Sequence, residues 1–152
     1  MGTISSLAVP PERTFRTAQD LFDGTTTSIF TITGLVEITS LVIHTTVGAL
    51  DATTDNVKIT ANPTTGSSVD ICANLDVASD EQGTIYSITG TLSDALVGTT
   101  AGAVAGMAKG VVVNTGTLDL TSSGDSNDSN SALQSVSLLW TPITEGATVV
   151  VA

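Results

Sequence analysis

Short runs of β-branched residues, separated by turn-forming residues, recur along the chain and constrain its fold more than any other feature. Val, Ile and Thr make up 53 of the 152 residues, and these residues favour the pleated, half-buried surface of a strand. Gly, Pro, Asn and Asp interrupt the runs at intervals of about 8–15 residues, as short connections between strands require. The pattern predicts an all-β, antiparallel sandwich or barrel of eight or nine short strands. A jelly roll and a Greek-key sandwich fit it almost equally well.

Alternation within the predicted strands assigns side chains to faces. In the segment 28–33, Phe30 and Ile32 share one face. In the segment 69–76, Cys72 is predicted to share a polar face with Asp70, because side chains in a strand point to opposite sides with a period of two. The longer run 35–47 has apolar residues on both parities, which indicates a bulge or burial on both faces.

Residues 95–113 form a nearly uncharged segment with glycines at four-residue intervals. On a helix, that spacing would create the small-residue face by which membrane helices pair. The segment is poor in Leu and Phe and contains Lys109, and both features oppose insertion into a bilayer. We therefore expect a flexible Gly/Ala loop that leads into a strand at 111–113, and no membrane partner.

Charge is scarce in this chain and unevenly placed. Charged residues are 12% of the sequence, and the formal net charge is -11. A surface of this sign repels phosphate, which argues against a nucleic-acid partner. Both arginines lie within residues 1–23, whereas residues 24–152 contain two lysines against twelve acidic residues.

This placement of charge singles out the N-terminal segment as a candidate site. We interpret residues 1–23 as an extended N-terminal arm and residues 24–152 as a single β-sandwich domain. The Pro-Pro pair favours extended chain without a hydrogen-bonded ladder, and the segment after it could be a strand or a short helical turn. The arm is expected to lie on its own domain or on a neighbouring molecule, where arginine can pair with carboxylates. The candidate partner-binding residues are Pro10, Pro11, Arg13, Phe15, Arg16 and Phe22.

Residues that commonly carry catalysis or bind metals are sparse. The single histidine, His44, and the single cysteine, Cys72, are too few for an ordinary zinc site, and carboxylates near Cys72 are expected to raise the pKa of its thiol. Asp80 and Glu81 are adjacent in a turn, where two carboxylates rarely face each other across a substrate. We predict no enzyme activity, no catalytic residue, no cofactor and no metal site. Calcium binding by the acidic tip 125–131 stays open, because that tip has oxygen ligands at alternate positions but departs from the EF-hand pattern.

Several stretches of the chain resemble small virion proteins of tailed bacteriophages. They are the segments 13–24, 31–34, 38–42, 83–90 and 139–149. The resemblance implies a structural virion protein, of which the capsid decoration (cement) type fits best. Such a protein is typically a trimer on the outer surface of the capsid, and its partners would be the major capsid protein and other copies of this chain. A family of this kind has no catalytic residues to carry over.

Two other classes of function remain open at the level of sequence. The first is another virion component, such as a tail, baseplate or fibre module. The second is a cell-surface module that binds a carbohydrate or a receptor, although aromatic residues, which stack on sugars, are only 3% of the chain.

In the decoration hypothesis, many modest contacts around the shell add up to high avidity. Removal of residues 1–22 is then expected to weaken capsid binding and to leave the rest of the protein folded.

Overall fold

The computed structural model describes residues 9–52, 56–124 and 132–152. Within these ranges the chain forms eleven strands and no helix. The strands are β1 (Glu12–Gln19), β2 (Thr26–Thr33), β3 (Val36–Val47), β4 (Asn56–Pro63), β5 (Val69–Asp76), β6 (Ile85–Ser87), β7 (Val97–Thr99), β8 (Val111–Val113), β9 (Gly116–Ser122), β10 (Leu133–Pro142) and β11 (Thr148–Val151). The all-β prediction is confirmed, and the number of strands exceeds eight or nine because β1 lies in the segment assigned to the arm and β7 lies in the segment expected to be a loop.

The strands form two antiparallel sheets, which we call the first and the second sheet. The first sheet has the order β1-β10-β3-β6-β7, and β8 also pairs with β3. The second sheet has the order β11-β2-β9-β4-β5. Strand β3 pairs with β10 along one edge. Its other edge accommodates two partners because the strand is twelve residues long, with β8 opposite Val36–Ile38 and β6 opposite Val42–His44.

The hydrophobic core lies between the two sheets. In β10, burial alternates strictly from Gln134 to Trp140, as expected when one face of a strand packs on the core and the other does not. The largest side chains with less than 2% exposure include Tyr86, Phe22 and Phe30. Full burial of a side chain of this size contributes about 1.5–3 kcal/mol, so these residues anchor the sandwich.

Bulges change the faces that simple alternation predicts. Ser28 pairs with Asp119 and Phe30 with Leu118, so Ile29 is an extra residue and is buried together with Phe30. In β5, Cys72 pairs with Ile59 and Asp70 with Thr60. The extra residue between them turns Cys72 into the core, where it is 1% exposed. The prediction that Cys72 shares a polar face with Asp70 is therefore wrong, because a bulge shifts the parity of the strand by one residue.

The segment 95–113 contains no helix and ends in β8, as predicted, but it also contains the strand β7, so the Gly/Ala loop is confined to residues 100–110. No helix in the described ranges is long and apolar enough to cross a membrane. The chain then turns at Gly116, whose φ is 154°. A Cβ atom at this position would collide with the carbonyl oxygen of Asn62 in β4, so only glycine allows β9 to approach β4 closely.

Candidate protein-binding surface

The predicted arm lies on its own domain from residue 12 onward. Strand β1 pairs with β10 from Glu12 opposite Trp140 to Gln19 opposite Gln134. The indole Nε1 of Trp140 donates a hydrogen bond to the hydroxyl of Thr14 at 3.0 Å. Residues 12–22 therefore lie on the chain's own domain and not on a neighbouring molecule, and they contribute an edge strand to the first sheet. Removal of residues 1–22 would take this strand away.

Arg16 points inward from β1 and is 8% exposed. Its Nη1 donates to the carbonyl oxygens of Ile29 and Ala152, both at 3.1 Å, and its Nη2 donates to Oε1 of Gln19 at 2.6 Å. Burial lowers the pKa of the guanidinium group. Because Nη1 bonds to backbone oxygens of Ile29 in β2 and of Ala152 after β11, Arg16 links β1 of the first sheet to the second sheet and faces the interior of its own domain.

Phe22 lies at the centre of the core, with no exposed area. Its ring meets the ring of Tyr86 edge to face, with centroids 5.6 Å apart and an interplanar angle of 72°. This geometry suits the quadrupoles of two aromatic rings. Phe22 is thus a core residue, and of the six candidate residues only Pro10, Pro11, Arg13 and Phe15 are exposed.

Arg13 and Phe15 point outward from the same strand. Phe15 is 64% exposed, and the guanidinium carbon of Arg13 lies 5.9 Å from the centre of its ring. Nη1 of Arg13 also donates to the hydroxyl of Ser137 on β10 at 2.6 Å. Two contacts within the chain therefore hold Arg13 beside an exposed aromatic ring, an arrangement that occurs at protein interfaces, where both residue types are enriched.

The outward side of the first sheet continues from these two residues across β10, β3 and β6. Residues directly opposite each other in a sheet share a face, and the register therefore defines the first-sheet face as Arg13, Phe15, Ser40, Val42, His44, Ile85, Ser135, Ser137 and Leu139. The face stops at Ser87, whose hydroxyl donates to the carbonyl oxygen of Ala105 at 2.6 Å beneath the Gly/Ala loop.

The first-sheet face carries no carboxylate, although the chain contains 15. The segments 13–19, 39–47, 85–87 and 133–142, which supply its four strands, contain no Asp or Glu. Glu12 and Glu37 bound it at one end, opposite Trp140 and Thr141. Sequence reasoning missed this face beyond Arg13 and Phe15, although the absence of acidic residues from strands distant in sequence was a signal that could have found it.

The outward side of the second sheet has the opposite character. Asp119 accepts hydrogen bonds from Ser28 at 2.8 Å and from Asn62 at 3.1 Å. Asp70 accepts one from Thr60 at 2.7 Å and pairs with Lys58 at 3.0 Å. The hydrogen bonds from Thr60 and Lys58 lower the pKa of Asp70. The second sheet thus carries two carboxylates that are engaged by polar neighbours, and of these Asp70 is partly exposed whereas Asp119 is 8% exposed.

The other residues considered from sequence are dispersed in the fold. Burial raises the pKa of the Cys72 thiol to about 11; the direction agrees with the prediction, but burial rather than the carboxylates is the main cause. His44 is exposed on the first-sheet face. Asp80 accepts a hydrogen bond from the Tyr86 hydroxyl at 2.7 Å, and burial raises the pKa of Asp80.

The described residues contain no group of three or more His, Cys, Asp or Glu side chains placed to hold a metal ion. The acidic tip 125–131, the calcium candidate, lies outside the described residues. One open depression of about 510 Å³ lies at the end of the sandwich near the start of β1, lined by Val9, Glu12 and residues 142–147.

Fold and surface together define this chain as an antiparallel, two-sheet β-sandwich with one partly apolar sheet face that carries no carboxylate. Comparison with protein-family models, with curated proteins and with solved structures found no match to the chain.

Proposed function

We propose that this chain is a structural protein of a tailed-phage particle, and specifically a capsid decoration protein that binds the outer surface of the head as an oligomer. The observation that carries the proposal is the exposed pair Arg13 and Phe15, which adjoins a sheet face free of carboxylates on an otherwise acidic domain. A face without carboxylates that carries an exposed aromatic ring and an arginine suits adhesion to another protein. The sequence resemblance to small virion proteins supports the same role.

The mechanism is adhesion through many equivalent sites. The major capsid protein would supply a repeated surface, and each copy of this chain would add a modest contact, so that avidity across the shell stabilises the head. The net charge of -11 would favour solubility and repulsion between decorated particles. The protein would accordingly be located on the capsid surface of the virion.

Labelling of whole particles tests the proposal. Particles of the phage that encodes this chain are purified on a density gradient and labelled with a gold-conjugated antibody raised against the chain. Gold on the heads, removed in parallel by competition with free protein, is the expected result. Gold on tails would overturn the decoration role in favour of a tail or baseplate component, and particles that lack the chain altogether would overturn any virion role.

A further inference from the structure

We propose that the first-sheet face is a contact surface for a second copy of this chain, which meets it with the same face. This inference goes beyond the proposed function, because it concerns the isolated protein. The proposed function places the same face against the capsid, so the two contacts exclude each other and the pair is expected only in protein that is free of the capsid. It rests on the charge of the face, on the chemistry of its side chains and on its size.

Charge limits which surfaces two copies can bring together. Each copy carries a net charge of -11, so contact through faces that display carboxylates brings like charges close together at a cost in free energy. Among the outward strand faces of the described residues, the second sheet displays Asp70, whose side chain is 42% exposed, whereas the nearest carboxylate of β3, Glu37, lies at the end of the strand and outside the first-sheet face. Contact through the first-sheet face therefore minimises the repulsion between two acidic bodies.

The side chains of the first-sheet face are complementary to themselves. Ser40, Ser135 and Ser137 each carry a hydroxyl that both donates and accepts hydrogen bonds. The hydroxyls of one copy can therefore form hydrogen bonds with the same hydroxyls of a second copy. Val42 and Leu139 are partly exposed between them, and Phe15 is 64% exposed. A two-fold contact requires a patch that fits itself, and neutral hydroxyls with small apolar side chains meet this requirement better than charged groups do.

Other partners fit this face less well. A strongly acidic protein would gain one ion pair with Arg13 and would be repelled by the rest of the body. A nucleic acid or an anionic membrane surface would be repelled in the same way. The partner that fits best is therefore a protein surface without carboxylates. In this structure, the first-sheet face is itself such a surface.

The size of the face predicts a weak contact. Four strands about 4.8 Å apart and five residues of about 3.4 Å each give an area of roughly 330 Å². A stable interface buries about 800 Å² per partner, so this contact is expected to form at high protein concentration and to exchange rapidly. A two-fold pair also differs from the trimer that the sequence resemblance implies.

Sedimentation equilibrium of the isolated chain, from 10 µM to 1 mM, tests the inference. The weight-average mass is expected to rise with concentration from the monomer value of 15.3 kDa toward about twice that value. Added NaCl, from 20 to 300 mM, is expected to tighten the association at least threefold, because salt screens repulsion between the acidic bodies. Constant monomer mass up to 1 mM, or weakening by salt, would overturn the inference.

Three variants locate the contact. Ser135→Asp places a carboxylate within the face, opposite His44, and Phe15→Ser removes the exposed ring; each is expected to raise the dissociation constant at least tenfold. Thr26→Asp adds the same charge to the exposed Thr26–Thr121 pair of the second sheet and is the matched control, with a change below twofold. Thermal unfolding of each variant shows that it is folded. Equal weakening by Ser135→Asp and Thr26→Asp would show that net charge rather than this face governs association, and would overturn the assignment.

Discussion

Replacement of Arg16 by alanine tests whether the N-terminal strand is an integral part of the sandwich. Arg16 makes hydrogen bonds to the carbonyl oxygens of Ile29 and Ala152 and to the side chain of Gln19. Gln19 and Ala152 are exposed, so water can replace the guanidinium group at both. The carbonyl of Ile29 is buried, so water cannot readily replace the guanidinium group there, and it also accepts a 3.3 Å hydrogen bond from the Ala152 N–H.

The magnitude follows from these contacts. A hydrogen bond from a charged group contributes about 1.5–3 kcal/mol net, and only the bond to Ile29 is lost without full compensation by water. The aliphatic stem of Arg16 adds packing of about 1 kcal/mol, since each buried methylene contributes about 0.8 kcal/mol. We expect Arg16→Ala to lower the free energy of unfolding by about 3 kcal/mol. With a urea dependence of about 2 kcal/mol per molar, the unfolding midpoint falls by about 1.5 M.

Arg13→Ala is the matched control, because Arg13 is the same residue type on the other side of β1 and is exposed. Its loss is expected to change the free energy of unfolding by no more than about 0.5 kcal/mol. Urea unfolding is followed by the fluorescence of Trp140, which is 2% exposed and bonds to Thr14 of β1. Equal effects of the two substitutions, or a loss below about 1 kcal/mol for Arg16→Ala, would refute the argument that Arg16 joins the two sheets.

Three further predictions concern backbone strain, thiol reactivity and acid stability. Gly90 and Gly83 have φ values of 91° and 94°, but a Cβ at Gly90 would collide with the carbonyl oxygen of Lys109, whereas one at Gly83 meets nothing within 4 Å. In urea unfolding, Gly83→Ala should lower the free energy of unfolding by about 1 kcal/mol and Gly90→Ala by at least twice that. Equal losses would contradict the collision. The pKa of the Cys72 thiol is raised to about 11. This thiol should therefore react with iodoacetamide at pH 8 at least a hundredfold more slowly in the folded than in the urea-unfolded protein. Equal rates would show that the thiol is accessible in the folded protein. Because the pKa of Asp70 is lowered in the folded protein, its ionised form stabilises the fold above the unfolded pKa, near 3.9, and this stability is lost as the pH falls through the lower folded pKa. The difference in melting temperature between the wild type and Asp70→Asn should therefore shrink from pH 5 to pH 2. A difference that grows over this range would contradict the sign of the argument.

Local pattern in the sequence determined most of the secondary structure. The β-branched runs and the turn residues between them predicted an all-β antiparallel fold, and the loop before Val111–Val113 was predicted because closely spaced glycines lower helix propensity. These features depend on residues that are near each other in the chain. Strand alternation, for the same reason, held where the strand itself contains no extra residue, as in β10, whose register shifts come from extra residues in β1 and β3.

Only the tertiary structure decided where alternation breaks and what the N-terminal segment contacts. The bulges at Ile29 and next to Cys72 depend on the register with β9 and β4, which are distant in sequence. The fold surrounds Arg16 with acceptors that lie 3, 13 and 136 residues away along the chain. The neighbouring residues in the sequence do not show that Arg16 rather than Arg13 is the buried arginine. The carboxylate-free first-sheet face likewise exists because β1, β10, β3 and β6 become neighbours. The sequence alone determined the type of fold, since strand preference is local; the pairing of distant strands determined which side chains are free to meet a partner.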